Sequence, residues 1–326
     1  MLRVLVCGAG AVGARAARHL VADAGTGRVL VHDADRKRQA AVVASLGERA
    51  EGVGEPDPAD ADVVLLAAPS PRQVAVARAA VSAGRHVVSV ADGVGAVERL
   101  LDLHAEARER GVVVAVGAGF GPGLSCVLAK HAAGELDRVD EVHVAHHGTG
   151  GPACARQHHH ALRGVGLDWR DHSWRRRPAG SGRELCFFPD PIGGSDCYRA
   201  ALPDALLLVP AFPGVGRVTA RLAATRRDRM TAGLPMLRRP HAEGRIGGLR
   251  VEVRGRRGQV RDTVVLGAVD RPAVAAGTVA AVTVRWLAAA RTLTTGAGGL
   301  ATLVEPLPFL HELARSGVRA AVFEGA

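Results

Sequence analysis

Met1-Leu-Arg-Val-Leu-Val-Cys-Gly8-Ala-Gly10-Ala-Val-Gly13 is the stretch that decides the fold of this 326-residue chain. Leu2 to Val6 form an apolar, β-branched run that suits a buried strand, and the glycines follow at once. Gly8 permits a tight turn, Gly10 lets the backbone approach a pyrophosphate, and Gly13 lets the next helix pack close to the sheet. Ala14 to Val21 supply an Ala/Leu-rich helix whose positive N-terminal end would face the phosphates. About 20 residues past the glycines, Asp33 closes a second apolar run, Val29-Leu-Val-His32, where an acidic residue can bond the hydroxyls of a ribose. The competing reading is that the glycines only tighten a strand-to-helix turn. The strand before them, the helix after them and Asp33 together favour dinucleotide binding.

Working outward, the first 120 residues alternate strand and helix patterns, as in a doubly wound parallel sheet. Strands fit 2–7, 28–32, 62–67, 86–90 and 112–116, with helices at 11–22, 36–46, 71–83 and 95–110. The turn-rich loop Glu51 to Pro58 has room for one more short strand. In such a sheet the strand ends at Ala67-Ala68-Pro69 and at Ala91-Asp92-Gly93 border the ligand crevice. Past Val116 the texture changes. A helix fits 124–134 and a strand 139–147, followed by a His- and Arg-rich polar stretch from 146 to 184. Strands at 205–209, 216–224, 249–256 and 259–269 point to a largely antiparallel sheet, with a turn at Gly255 to Gly258. A long Ala/Val-rich helix fits 273–291, then a helix near 307–316 and a strand near 318–323. The expected division is a Rossmann domain at 1–124, an α+β substrate and dimerisation domain at 125–291, and a tail at 292–326 returning to the first domain.

Composition narrows the function classes. No apolar run approaches the roughly 18 residues of a membrane span, and the glycine turn interrupts any signal-peptide reading, so a cytoplasmic protein is expected. The five cysteines form no C-x-x-C pair, which argues against a disulfide framework. The net charge of +10 suggests nucleic acid at first sight, but 40 of the 42 basic residues are arginine and they are spread along the chain. Few aromatic side chains accompany them. A carboxylate-bearing small molecule is the better-suited partner, because arginine binds carboxylates bidentately.

The N-terminal glycines, Ala67-Ala-Pro69, and Gly117-Ala-Gly-Phe120-Gly-Pro122-Gly123-Leu-Ser125 resemble the saccharopine dehydrogenase-like oxidoreductases and, more distantly, diaminopimelate dehydrogenase. The resemblance implies a Rossmann domain with a sheet-based substrate domain, and reversible hydride transfer between a nicotinamide and a carbon bonded to nitrogen. Relatives often read Asp-Pro-Gly where this chain reads Gly121-Pro122-Gly123, so a substrate ammonium would lack that carboxylate here. A homodimer through the second domain is also expected. The alternative is a non-catalytic dinucleotide-binding regulator or scaffold that keeps the fold.

Cofactor contacts are expected from Gly8, Gly10, Ala11, Val12, Gly13, Asp33, Arg36, Ala67, Ala68, Pro69 and Phe120. Asp33 favours NAD, whereas Arg36, Lys37 and Arg38 could neutralise the 2′-phosphate of NADP or simply form a solvated helix start. The lone Tyr198 lacks a lysine four residues on, and a catalytic lysine would have to be Lys130. His146 and His147, at a strand end before Gly148-Thr-Gly-Gly151, are candidates for proton transfer, as are Asp92 and Lys130. Core packing is the competing role for these histidines. Arg156 and Arg163 are candidates for a substrate carboxylate. No metal is expected: alternation along Val142 to His146 suits a strand, and Cys154 and His158 would share a face only on a helix.

Overall fold

In the computed structural model, which describes residues 1–68, 71–236, 239–318 and 320–322, the opening run becomes β1 (Leu2–Cys7) and leads into α1 (Ala11–Ala22). There follow β2 (Thr26–His32), α2 (Arg36–Leu46), β3 (Ala50–Gly52), β4 (Val63–Leu66), α3 (Pro71–Ser82) and β5 (His86–Ser89). The segment expected as one helix at 95–110 is two, α4 (Val94–Leu101) and α5 (His104–Glu109), before β6 (Val113–Val116).

These strands lie in the order β3-β2-β1-β4-β5-β6, all parallel, the doubly wound order that reverses between β1 and β4. Every residue of β4 and β6 is buried, as a parallel sheet covered on both faces requires. Local chemistry starts the helices where the sequence places them. The Asp35 carboxylate accepts hydrogen bonds from the backbone N–H of Lys37 and Arg38, capping α2.

The second half contains α6 (Leu124–Ala133), β7 (Arg138–His147), α7 (Pro152–Ala161), β8 (Val165–Arg170), β9 (Ser173–Pro178) and β10 (Glu184–Phe188). It continues with β11 (Gly193–Arg199), α8 (Asp204–Leu208), β12 (Arg217–Ala223), α9 (Arg226–Thr231), β13 (Gly247–Arg257) and β14 (Val260–Asp270). The last elements are α10 (Pro272–Ala288), β15 (Gly296–Gly298), α11 (Leu300–Leu303), α12 (Pro306–Arg315) and β16 (Ala320–Val322). The second sheet runs β10-β11-β12-β7-β13-β14-β16, with β8 joining β12 and β9 joining β8. Only β12 and β7 pair in parallel along it, so the sheet is mixed and largely antiparallel.

Three expectations change. The strand expected at 205–209 is the helix α8: a five-residue apolar run carries no period that separates strand from helix, and Leu207 and Leu208 are both buried. The His- and Arg-rich stretch holds α7 and the β8–β9 hairpin, whose Trp169 and Trp174 rings meet edge to face at 5.1 Å. The tail divides, because β15 extends the first sheet beside β6 while β16 pairs with β14 of the second. The Ala/Val-rich α10, numbered with the second half, lies on α1 and on β4 and β5 of the first sheet. A Cβ on Gly277 there would lie 2.7 Å from Arg15 Cβ and 2.9 Å from the Val12 carbonyl, so the close α1–α10 crossing depends on that glycine. Among the described residues no helix is long and apolar enough to cross a membrane.

Candidate active site

At the C-terminal end of β1 the chain turns at Gly8 with φ +112°, which L side chains rarely adopt. A Cβ on Gly13 would collide with the Gly8 carbonyl, so α1 sits against the turn only because both are glycine. A Cβ on Gly10 meets nothing within 4 Å. That open space faces a helix start with no side-chain cap and no acidic residue in its first turn, so its N–H groups are free to receive an anion. Asp33 is buried, and its carboxylate accepts from the Ala9 N–H at 2.7 Å and the Asp35 N–H at 2.8 Å, with Arg38 Nη1 at 3.3 Å. Arg36 turns to the opposite bank, donating to the carbonyls of Val53 (3.0 Å) and Gly54. Gly10, Ala11, Val12, Asp33, Arg36, Arg38, Ala67 and Ala68 line one outer crevice of about 1240 Å³. These residues fit the diphosphate and ribose of a dinucleotide.

Val12, Ala67, Ala68, Cys154 and Arg156 also border an inner cleft of about 530 Å³, so the two spaces meet at the end of β4. The loops there are braced by Gln73, which donates through Nε2 to the Ala68 carbonyl and accepts from Ser89 Oγ at 2.9 Å. Ser89 Oγ in turn accepts from the Ala91 N–H, holding the loop that presents Asp92. Phe120, Asp92, His146 and His147 all line this inner cleft. His146 and His147 alternate along β7, yet both reach the cleft because the strand ends beside it.

His146 Nε2 lies 3.0 Å from Asp204 Oδ1, and Ser125 Oγ donates to the same oxygen at 3.2 Å. Asp204 is wholly buried and His146 is 3 % exposed. An ionised carboxylate only accepts hydrogen bonds, so a His146 paired with one would carry its proton on Nε2 and present Nδ1 as the accepting nitrogen. The imidazole occupies the space beside Gly121, where a Cβ would collide with His146 Cε1 and Nδ1. The space a side chain at position 121 would need is thus filled by a histidine ring reaching in from β7.

Across the cleft, Cys154 and His158 do share a face, because α7 is a helix. His158 Nε2 stands 3.8 Å from Cys154 Sγ and 3.8 Å from Asp92 Oδ2. Burial pushes the Asp92 carboxyl above its usual range, against the pull of His158. Burial also raises the Cys154 thiol well above normal and lowers the His158 imidazole, with Asp92 opposing the latter shift. His147, 5.5 Å from the Phe188 ring, is likewise lowered by burial.

Other sequence candidates lie elsewhere. Lys130 donates to the Ala211 carbonyl at 3.1 Å, stands over the Phe212 ring and does not line this cleft. Arg156 is at the cleft, but Arg163 lies beyond the end of α7 with its guanidinium against Gly233. Pro69 falls outside the described residues. The reading of the sequence missed Asp204, one residue before an expected strand, and Arg99, an unremarkable helix residue that borders the cleft. Neither Arg99 nor Arg156 is in an ion pair among the described residues.

No protein-family model matches the chain. Among solved structures, it is similar to saccharopine dehydrogenase (L-Glu forming) from Saccharomyces cerevisiae, with a TM-score of 0.69 and 14% identity over 99% of this chain and 100% of that one. A probable dehydrogenase from Thermotoga maritima gives a TM-score of 0.51 at 11% identity, covering 98% of both chains. A C. glutamicum DAP dehydrogenase in complex with DAP gives 0.48 at 17% identity over 96% of this chain and 95% of that one. The likeness to the S. cerevisiae structure bears out the expected resemblance at the level of the fold: a doubly wound parallel sheet joined to a second, mixed sheet.

Proposed function

We propose that this protein is an NAD(P)-dependent oxidoreductase that transfers a hydride at the C–N carbon of an amino-acid-like, carboxylate-bearing substrate. The observation that carries the reading is the continuity of the two spaces, which joins a helix start open to phosphates to a buried His146–Asp204 pair. When bound, the nicotinamide supplies the hydride chemistry. The first turn holds the diphosphate, Asp33 receives the adenosine ribose hydroxyls in the manner that favours NAD, and Ala67 and Ala68 shape the passage to the inner cleft.

In the amine-oxidising direction His146 Nδ1 accepts the proton lost from nitrogen while Asp204 stabilises the imidazolium; in reverse the same atom returns it. Arg156 and Arg99 offer free guanidinium groups for a carboxylate. A cleft lined by histidines and arginines rather than filled by apolar side chains supports the enzyme over the scaffold. We further infer a homodimer through the second sheet, whose edge strand β10 exposes Leu185 and Phe187 by more than half. The test is a screen of amino acids, and of 2-oxo acids with amines, against both nicotinamides at the NADH absorbance band. Turnover with at least one C–N substrate is expected. Tight cofactor binding without turnover on any such substrate would return the scaffold reading.

A further inference from the structure

Two turns of α7 and the loop after β5 bring together three side chains that the proton-transfer reading leaves unused. Asp92, Cys154 and His158 place a carboxylate oxygen, a sulfur and an imidazole nitrogen within 4.8 Å of one another. The His158–Asp92 separation of 3.8 Å is too long for a hydrogen bond. It is close to the edge of a coordination tetrahedron: metal–ligand bonds of about 2.0–2.3 Å put neighbouring donors roughly 3.3–3.6 Å apart.

We propose that Asp92, Cys154 and His158 bind one divalent transition-metal ion of the zinc type, with its fourth position open to the inner cleft. The donor set of one sulfur, one nitrogen and one oxygen suits such an ion and not magnesium or calcium, which take oxygen ligands. Three protein ligands with one open position is the arrangement of catalytic rather than structural sites. A thiolate, a carboxylate and a neutral imidazole also balance a doubly positive ion, so the assembled site adds no net charge to a largely buried wall. Cys154 and His158 are placed by one helix, one turn apart, and the Gly150 N–H points at Cys154 Sγ at 3.4 Å, where it would support the bound thiolate. The expectation of no metal rested on the spacing of the histidines, and it lacked Asp92, which only the fold brings to α7. His146 and Phe120 line the same cleft, so the open position faces the space where the substrate nitrogen or an adjoining oxygen would sit. The site does not depend on the hydride reading, since its test reads metal and not turnover.

The full chain, without a histidine tag and stripped by a chelator, is titrated with cobalt(II) alone. The expected result is one equivalent per chain with a thiolate-to-cobalt charge-transfer band and the visible absorption of a four-coordinate ion, both lost when zinc(II) is added. Cys154→Ser should remove the charge-transfer band, and His158→Ala or Asp92→Asn should weaken binding at least tenfold. Cys186→Ser, a thiol in the second sheet, should leave the band unchanged. Absence of a stoichiometric band in the wild type overturns the proposal whatever the variants do, and so does a band that survives in folded Cys154→Ser. If Cys154→Ser does not fold, His158→Ala and Asp92→Asn decide: undiminished cobalt affinity in both would also overturn it.

Discussion

The outer crevice and the inner cleft meet at Ala67 and Ala68 but are built on opposite principles. The phosphate and ribose end of the outer crevice is made of a turn, a helix start and one carboxylate, all within a single βαβ unit from Gly8 to Asp33. The inner cleft is made of side chains gathered from the loop after β5, the end of β7 and the face of α7, with the start of α8 backing His146. Phosphate is recognised by N–H groups that any residue can supply, provided small residues leave room for it. Proton transfer needs a particular titratable atom at a particular place, and that place can be reached from anywhere in the chain. One region therefore carries its signature in consecutive residues, and the other does not.

The comparison is broken most severely at Gly10. Gly10→Val should fold normally, since nothing lies within 4 Å of the added Cβ, yet the larger side chain would stand in the phosphate space. Calorimetric titration should show cofactor affinity reduced by about 100-fold or more. Unchanged affinity in the folded variant would remove the outer crevice from function.

The inner cleft should respond in rate and not in cofactor binding. His146→Ala is expected to lower kcat by about 100-fold or more, with cofactor affinity nearly unchanged, because general acid–base groups commonly contribute that much to the chemical step. Asp204→Asn keeps the shape of its side chain but no longer stabilises the imidazolium, so a smaller loss of roughly tenfold is expected, with a change in the pH profile of kcat. A fall in cofactor affinity equal to the fall in kcat would mean that the pair only holds the fold. Steady-state kinetics beside direct binding measurements separate the two outcomes.

The smallest effect is expected where a side chain does take part in the outer crevice. Asp33→Ala should weaken NAD by about tenfold and NADP by less, because losing the acceptor for the ribose hydroxyls is offset for NADP by relief of repulsion toward the 2′-phosphate. Arg38, freed from its contact with Asp33, would then face that phosphate. Wild-type protein that already binds NADP much more tightly would show that Arg38 dominates this end of the crevice. The ratio of the two dissociation constants is the quantity to measure.

Several parts of the site were legible before the fold was known. The strand-turn-helix from Leu2 to Ala22 and the carboxylate of Asp33 are local consequences of residue type, and a local pattern survives whatever the rest of the chain does. His146 and His147 were visible as an anomaly, but their partner was not. Asp204 stands just before a short apolar run that reads equally as strand or helix, and its burial beside His146 is a product of how α8 meets β7. Lys130 and Arg163 are the converse: residue types suited to the chemistry, carried by their elements to other surfaces.

The sequence by itself determined the doubly wound fold and the glycine turn at the outer crevice, because glycine spacing and the alternation of strand and helix act over a few residues. Only the tertiary structure decided which side chains face one another across the cleft. His146 with Asp204, and Asp92 with Cys154 and His158, are pairings between elements far apart in the chain, set by sheet order and helix packing and by no interval that could be counted along it.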